Sequence, residues 1–245
     1  MKKENKSLKI LKNIFKKVSI ILVGGMLVMN VGCARKGSRD WIEEQISDIE
    51  RVYPTENAED LFEKFPNGFI ISQSKVFKEN GVSYMINLDM KGNKATRKII
   101  GKIKKVRVET KPYKEIVEKE SEVEYKKGQN LVLAKPELTE ELLPRNYFLF
   151  QKLKLNKYIF KQLEVENKVY TSATERYSIK YRINNNEINN YLDLNNDKVI
   201  LDVSGLNSEK DNAYFHTILI KGESKKFDFF EKVVEEKENK EDDTE

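Results

Sequence analysis

Cysteine and histidine are almost missing from this sequence: there is one of each in 245 residues, Cys33 and His216. A lone cysteine excludes an intrachain disulfide framework and any cysteine-based structural zinc site. A lone histidine excludes a two- or three-histidine metal centre within one chain, so the sequence is read as holding no metal and no cofactor. Also missing are a P-loop, a GxGxxG turn and a Gly-x-Ser-x-Gly elbow. Ser–His–Asp or Cys–His machinery would need His216, which lies in the apolar run from Tyr214 to Ile218 and reads as a strand histidine, half-buried or at the surface. Carboxylates are plentiful, but no spacing selects a pair for acid and base chemistry, as a glycan hydrolase would need. The expectation is a protein that is not an enzyme.

A dominant charge of one sign is missing as well. Lysine and arginine total 45 against 40 acidic residues, a formal charge of +5, and the excess is unevenly placed. Residues 1–32 carry seven lysines and one glutamate, whereas residues 231–245 carry eight acids and three lysines. The stretch between is only mildly basic, and the cations of its most basic segment, Lys91–Lys111, are not interleaved with aromatics, so nucleic acid is not expected as a partner.

Long hydrophobic runs are limited to Val18–Met29, twelve residues behind a lysine-rich stretch. As a helix it would span about 18 Å, short of the roughly 30 Å of a bilayer core. The pattern is that of an export signal. It ends in Asn30-Val31-Gly32-Cys33, and the sole cysteine therefore falls at the end of the signal. This tetrad resembles the lipobox of bacterial lipoproteins, in which the cysteine thiol takes a diacylglyceryl group and the peptide is cut just before it. Gly32 and Cys33 fit, while Asn30 stands where the motif has an apolar residue. The division expected is a signal peptide over 1–32, a lipidated Cys33 with a basic tether to 39, a folded domain over 40–230, and a disordered acidic tail over 231–245. One acyl chain alone holds a protein weakly; two or three on Cys33 would anchor it firmly to the outer face of the cell membrane.

Within the folded part, Asp40 opens a helical pattern ended by Tyr53-Pro54, and Asn57 opens a second ended by Pro66. From Phe69 the period becomes two, with Asn80-Gly81 signalling a hairpin and further strand runs to Ala134. A slip in the alternation between Lys104 and Lys105 predicts a bulge or a strand break. Short helices are expected at 136–143 and 188–194, strands at 177–183, 199–203, 214–220 and 227–230, and 147–163 fits both periods, leaning to helix. The fold class read from this is α+β, antiparallel sheet flanked by short helices, in a layout that admits two similar sub-halves divided near residue 136.

The most asymmetric segment of the folded part is Lys91–Lys111, nine cations and one acid. Lys98, Lys102, Lys104, Lys105 and Arg107 are the candidate basic surface, for an anionic envelope polymer or an acidic host protein. The alternative is that these cations meet Glu115, Glu118, Glu120, Glu122 and Glu124 of the next strand.

Several ordered segments resemble the tandem lipoproteins of staphylococci, also called conserved staphylococcal antigens. They are Tyr53-Pro54 with Asn57-Ala58-Glu59-Asp60-Leu61-Phe62, Tyr84-Met85-Ile86-Asn87 through Thr96-Arg97-Lys98, Tyr147-Phe148-Leu149-Phe150, and Tyr177-Ser178-Ile179-Lys180-Tyr181. The resemblance implies a surface-exposed lipoprotein of a Gram-positive bacterium without catalytic residues, involved in host-cell entry and in immune stimulation through its lipid. A ligand-binding or carrier lipoprotein of the envelope is the alternative, and it requires an apolar cavity between sheet and helices.

Overall fold

The computed structural model describes residues 35–206, 214–222 and 227–236. Ser38 caps α1 (Arg39–Gln45), its hydroxyl accepting from the Trp41 N–H, and the helix tightens into a 3-10 turn over Ile46–Arg51. Ile42, Ile46 and Ile49 form its buried stripe. A second 3-10 turn (Ala58–Asp60) leads into α2 (Leu61–Lys64).

Ten strands follow among the described residues: β1 (Phe69–Glu79), β2 (Val82–Asn93), β3 (Lys98–Thr110), β4 (Tyr113–Lys126) and β5 (Asn130–Leu133), then β6 (Glu164–Thr171), β7 (Arg176–Ile183), β8 (Val199–Leu206), β9 (Phe215–Gly222) and β10 (Phe227–Glu235). They form one antiparallel sheet in the order β5-β4-β3-β2-β1-β10-β9-β8-β7-β6. The earliest and latest strands therefore pair at the centre, Phe69 opposite Glu235 and Phe77 opposite Phe227. The chain reaches β6 from β5 by crossing the whole sheet, nine inter-strand spacings or about 43 Å.

That crossing segment, residues 134–163, holds α3 (Thr139–Leu142), a 3-10 turn at Leu149–Gln151 and α4 (Lys157–Gln162). It buries Leu142, Leu143, Phe148, Leu149, Phe150, Leu153, Leu155 and Phe160 on one face of the sheet. α5 (Asn186–Leu192) packs on the same face, and all the buried apolar residues of that face form one continuous cluster. In β1 the covered positions are Phe69, Ile71 and Gln73, whereas Ile70 and Val76 are about two-fifths exposed on the other face. One face is thus dry and the other wet, as alternation allows for antiparallel sheets.

The expected α+β arrangement with two sub-halves is corrected by this topology. No boundary lies near residue 136, because β1 pairs with β10 across it and one core runs beneath both sides. The tail boundary at 230 is displaced for a related reason. β10 continues to Glu235, and Glu231, assigned from charge to a solvated tail, has no exposed surface at all. The run 147–163 is helical only in two short turns, and β6 was not foreseen. Its sequence is polar because it is an edge strand, lying against β7 alone. The slip at Lys104/Lys105 marks a bulge in one long strand, located at Lys105/Val106 against β4.

The segment preceding α1 docks at the β6 edge. Lys168 Nζ donates to the Gly37 carbonyl (3.3 Å), Lys36 lies 3.5 Å from Glu175, and Gly37, at φ +81°, leaves just enough room for the Tyr170 ring. Arg39 closes the same corner. Its Nε meets Glu43 Oε1 at 2.7 Å and its Nη2 donates to the carbonyls of Phe160, Lys161 and Leu163 at the end of α4.

Candidate ligand cavity and its buried carboxyl

On the dry face, the sheet and its covering segments leave a half-open cavity of about 700 Å³. Its floor is built from positions that the pleat points inward: Gln73, Lys75 and Phe77 of β1, Ile86 and Leu88 of β2, Ile103 of β3, and Phe227 and Phe229 of β10. Register places these side by side, with Gln73 opposite Leu88, Leu88 opposite Ile103, and Lys75 between Ile86 and Phe229. One wall is Glu141–Arg145 of the crossing segment, the other Tyr191–Leu194 at the end of α5. Volume and apolar lining with a few convergent polar groups are those of a small-molecule site.

The rim is charged. Lys78 is exposed, and Arg145 donates through Nε to the Asn190 carbonyl (3.0 Å) with Nη2 4.0 Å from the outward-facing Asp193. Glu141 is engaged by Lys105 at 2.9 Å and by Lys119, and these hydrogen bonds hold its carboxyl below the ordinary glutamate range.

Beneath the polar end of the floor lies Glu231. Gln73 Nε2 donates to the Tyr191 hydroxyl (3.0 Å) and to Glu231 Oε2, and Gln73 Oε1 accepts from the Tyr191 hydroxyl (3.2 Å). Tyr53 Oη donates to Oε1 at 2.8 Å, and the Leu149 N–H donates to Oε2 at 3.1 Å. One carboxyl therefore ties together β10, β1, the segment after α1 and the crossing segment. Burial raises its pKa from 4.5 to about 7, and hydrogen bonds from Gln73, Tyr53 and the Leu149 and Phe150 amides only partly offset this. The signal that could have located it was the phase of β10: Phe227, Phe229, Glu231 and Val233 occupy alternate, inward positions.

His216 is buried on the same face, its ring edge-on to Tyr214 at 4.9 Å. Burial, then the Arg51 guanidinium, lowers its pKa from 6.5 to about 4, and its Nδ1 has no hydrogen-bond partner. It is more deeply placed than the sequence suggested, and no nucleophile stands against it in a hydrogen bond.

The expected basic surface does not exist as one surface. Lys102 and Lys104 lie on the wet face of β3, opposite Glu122 and Glu120, with Lys102 Nζ 3.6 Å from Glu120. Lys105 turns to the dry face, where it meets Glu141 and the Tyr84 ring (4.7 Å). Arg107 is held by Glu109 (2.6 Å) and Glu118 (3.3 Å), and Lys98 is exposed at the start of β3. The glutamates of β4 thus meet the lysines of β3 as cross-strand pairs. Gly32 and Cys33 lie outside the described residues. Among the described residues no helix is long and apolar enough to cross a membrane.

No known family model matches the chain, and no curated protein matches it.

Proposed function

We propose that this protein is a lipid-anchored lipoprotein on the outer face of a Gram-positive cell membrane, and that its folded body is a non-enzymatic module that captures a small ligand in the dry-face cavity. The observation that carries the binding role is the cavity itself, about 700 Å³ between sheet and covering segments. The anchoring role rests on the short apolar run ending in Gly32-Cys33. Recognition of a polymer or host protein through the β3 lysines is less well supported, because those lysines are divided between two faces and paired with glutamates. A hydrolase reading is also weak. Of the two acids on the cavity walls, Glu141 is held ionised by two lysines and Asp193 is almost fully exposed, so neither is placed as a general acid. The resemblance to staphylococcal tandem lipoproteins agrees with an envelope location and with a role at the host interface.

Labelling cells with radioactive palmitate tests the anchor. Incorporation into the protein is expected, with accumulation of precursor under globomycin and no label in Cys33→Ala. Equal labelling of the Cys33→Ala variant would refute it. Native mass spectrometry of the protein extracted from its own membranes tests the binding role; a ligand-free mass at every extraction condition would count against it.

A further inference from the structure

We infer that the cavity takes a single-chain anionic amphiphile, a long-chain fatty carboxylate, with its chain along the sheet floor and its head at Lys78 and Arg145. This inference rests on the binding role proposed above and adds the class and orientation of the ligand.

Three observations converge on it. The first is shape and lining. Phe77, Leu88, Ile103, Leu143, Phe227 and Phe229 make most of the floor and wall apolar, which suits an apolar body for the ligand. A carbon group fills roughly the volume of a liquid water, about 30 Å³, so a half-open space of this size accepts about twenty heavy atoms, a chain of about sixteen carbons with its head.

The second is charge. Lys78 and Arg145 line the cavity against Glu141 and Asp193. Glu141 is already neutralised by Lys105 and Lys119 from the neighbouring strands. Asp193 is almost fully exposed, so its charge is screened by solvent, and it lies 4.0 Å from Arg145. The field over the rim is therefore positive, and an anionic head is complementary where a cationic head is repelled. Arg145 in particular offers a planar fork suited to a carboxylate.

The third is the polar floor. Gln73 and Tyr191 are already satisfied by each other and by Glu231. They offer no open hydrogen-bonding site to a head group placed deep. The head is thus directed outward to the rim cations and the chain inward.

The full chain, reconstituted in phospholipid nanodiscs, is photolabelled with a diazirine-bearing hexadecanoate, and adducts are mapped by mass spectrometry. Adducts are expected within 142–145, 191–194 or 227–229. Excess hexadecanoate should suppress them about fivefold or more, and hexadecanol or hexadecyltrimethylammonium much less. Lys78→Glu combined with Arg145→Glu should lower the yield to a similar degree, and Arg145→Lys should retain it. Circular dichroism confirms that the variants fold, and the exposed single variant Lys78→Glu provides the charge test should the double variant unfold. Equal suppression by alcohol and ammonium amphiphiles would overturn the anionic assignment while leaving a cavity that binds apolar chains. Adducts confined to other surfaces, or absent, would overturn both this inference and the binding role.

Discussion

Glu231 and His216 are two buried titratable groups with opposite effects on stability as pH changes, and replacing either one should uncover the other. Glu231 has its pKa raised from 4.5 to about 7. Between those values the folded state keeps a proton that the unfolded chain has lost, so stability falls as pH rises through the interval. His216 has its pKa lowered from 6.5 to about 4. Between those values the unfolded chain binds the extra proton, so stability rises with pH. At about 1.4 kcal/mol per pH unit, each effect amounts to about 3 kcal/mol over its full window. The windows overlap between pH 4.5 and 6.5, where the slopes cancel. The natural protein should therefore show nearly constant stability across this range. Glu231→Gln should gain about 3 kcal/mol on going from pH 4.5 to 6.5, and His216→Gln should lose about as much. The double variant should again be flat. Urea unfolding followed by the fluorescence of Trp41, which sits edge-on to Tyr170 and Tyr177, supplies the readout. The quantity compared is the slope against pH, so a uniform cost of either substitution drops out. Asp48 and Asp202, both raised by burial, are common to all four proteins and cancel in the differences. A Glu231→Gln profile parallel to that of the natural protein from pH 4.5 to 6.5 would refute the argument.

Three further outcomes follow from packing. Gly101→Ala should cost more than about 2 kcal/mol in urea unfolding, because the new methyl group would lie 1.9 Å from the Asp89 carbonyl oxygen, a backbone atom that cannot move aside. Phe150→Ala should cost about 3–5 kcal/mol, since its ring is fully buried, stacked on Phe148 at 4.9 Å and edge-on to Tyr53. Arg39→Met should cost about 2–4 kcal/mol and raise amide exchange around 160–163, because it removes the side-chain donor from the Lys161 and Leu163 carbonyls, leaves Phe160's with the Leu163 N–H alone, and leaves Glu43, 1% exposed, with only the Tyr181 hydroxyl as a hydrogen-bond donor. Unchanged exchange there would show that α4 is held by its apolar side alone.

Much of the strand inventory was legible because hairpin signals and alternation are local. Asn80 and Gly81 both have positive φ, as the tight turn between β1 and β2 demands, and the bulge at Lys105 left its mark as a change of phase. The order of the strands was not legible. Pairing of β1 with β10 is a contact between residues some 160 apart, and no local pattern encodes it. Composition misled at two places. The acids from 231 onward concealed a strand because a glutamate, Glu231, takes a buried inward position while Asp228 and Lys232 take wet ones. The lysines of β3 suggested a surface because their alternation, combined with the bulge, disperses them over both faces. The cavity was foreseen only as a requirement of the carrier alternative. Its walls come from the crossing segment, α5 and four strands, which only the tertiary fold brings together.

If the chain is anchored as proposed, the contact of Lys36 and Gly37 with the β6–β7 hairpin would give the folded body a defined attitude to the membrane. With Cys33 acylated as proposed, three residues, about 10 Å of extended chain, separate the bilayer surface from that docking point. The sheet would then stand on its β6 edge, where a neighbouring strand could otherwise add. The cavity begins four strand spacings away at β10, about 19 Å further along the sheet. A ligand would have to leave the bilayer, or arrive from outside it, to reach the cavity. The protein would stand as an upright post whose binding end faces the cell wall, and lengthening the tether by a few flexible residues would let it tip over.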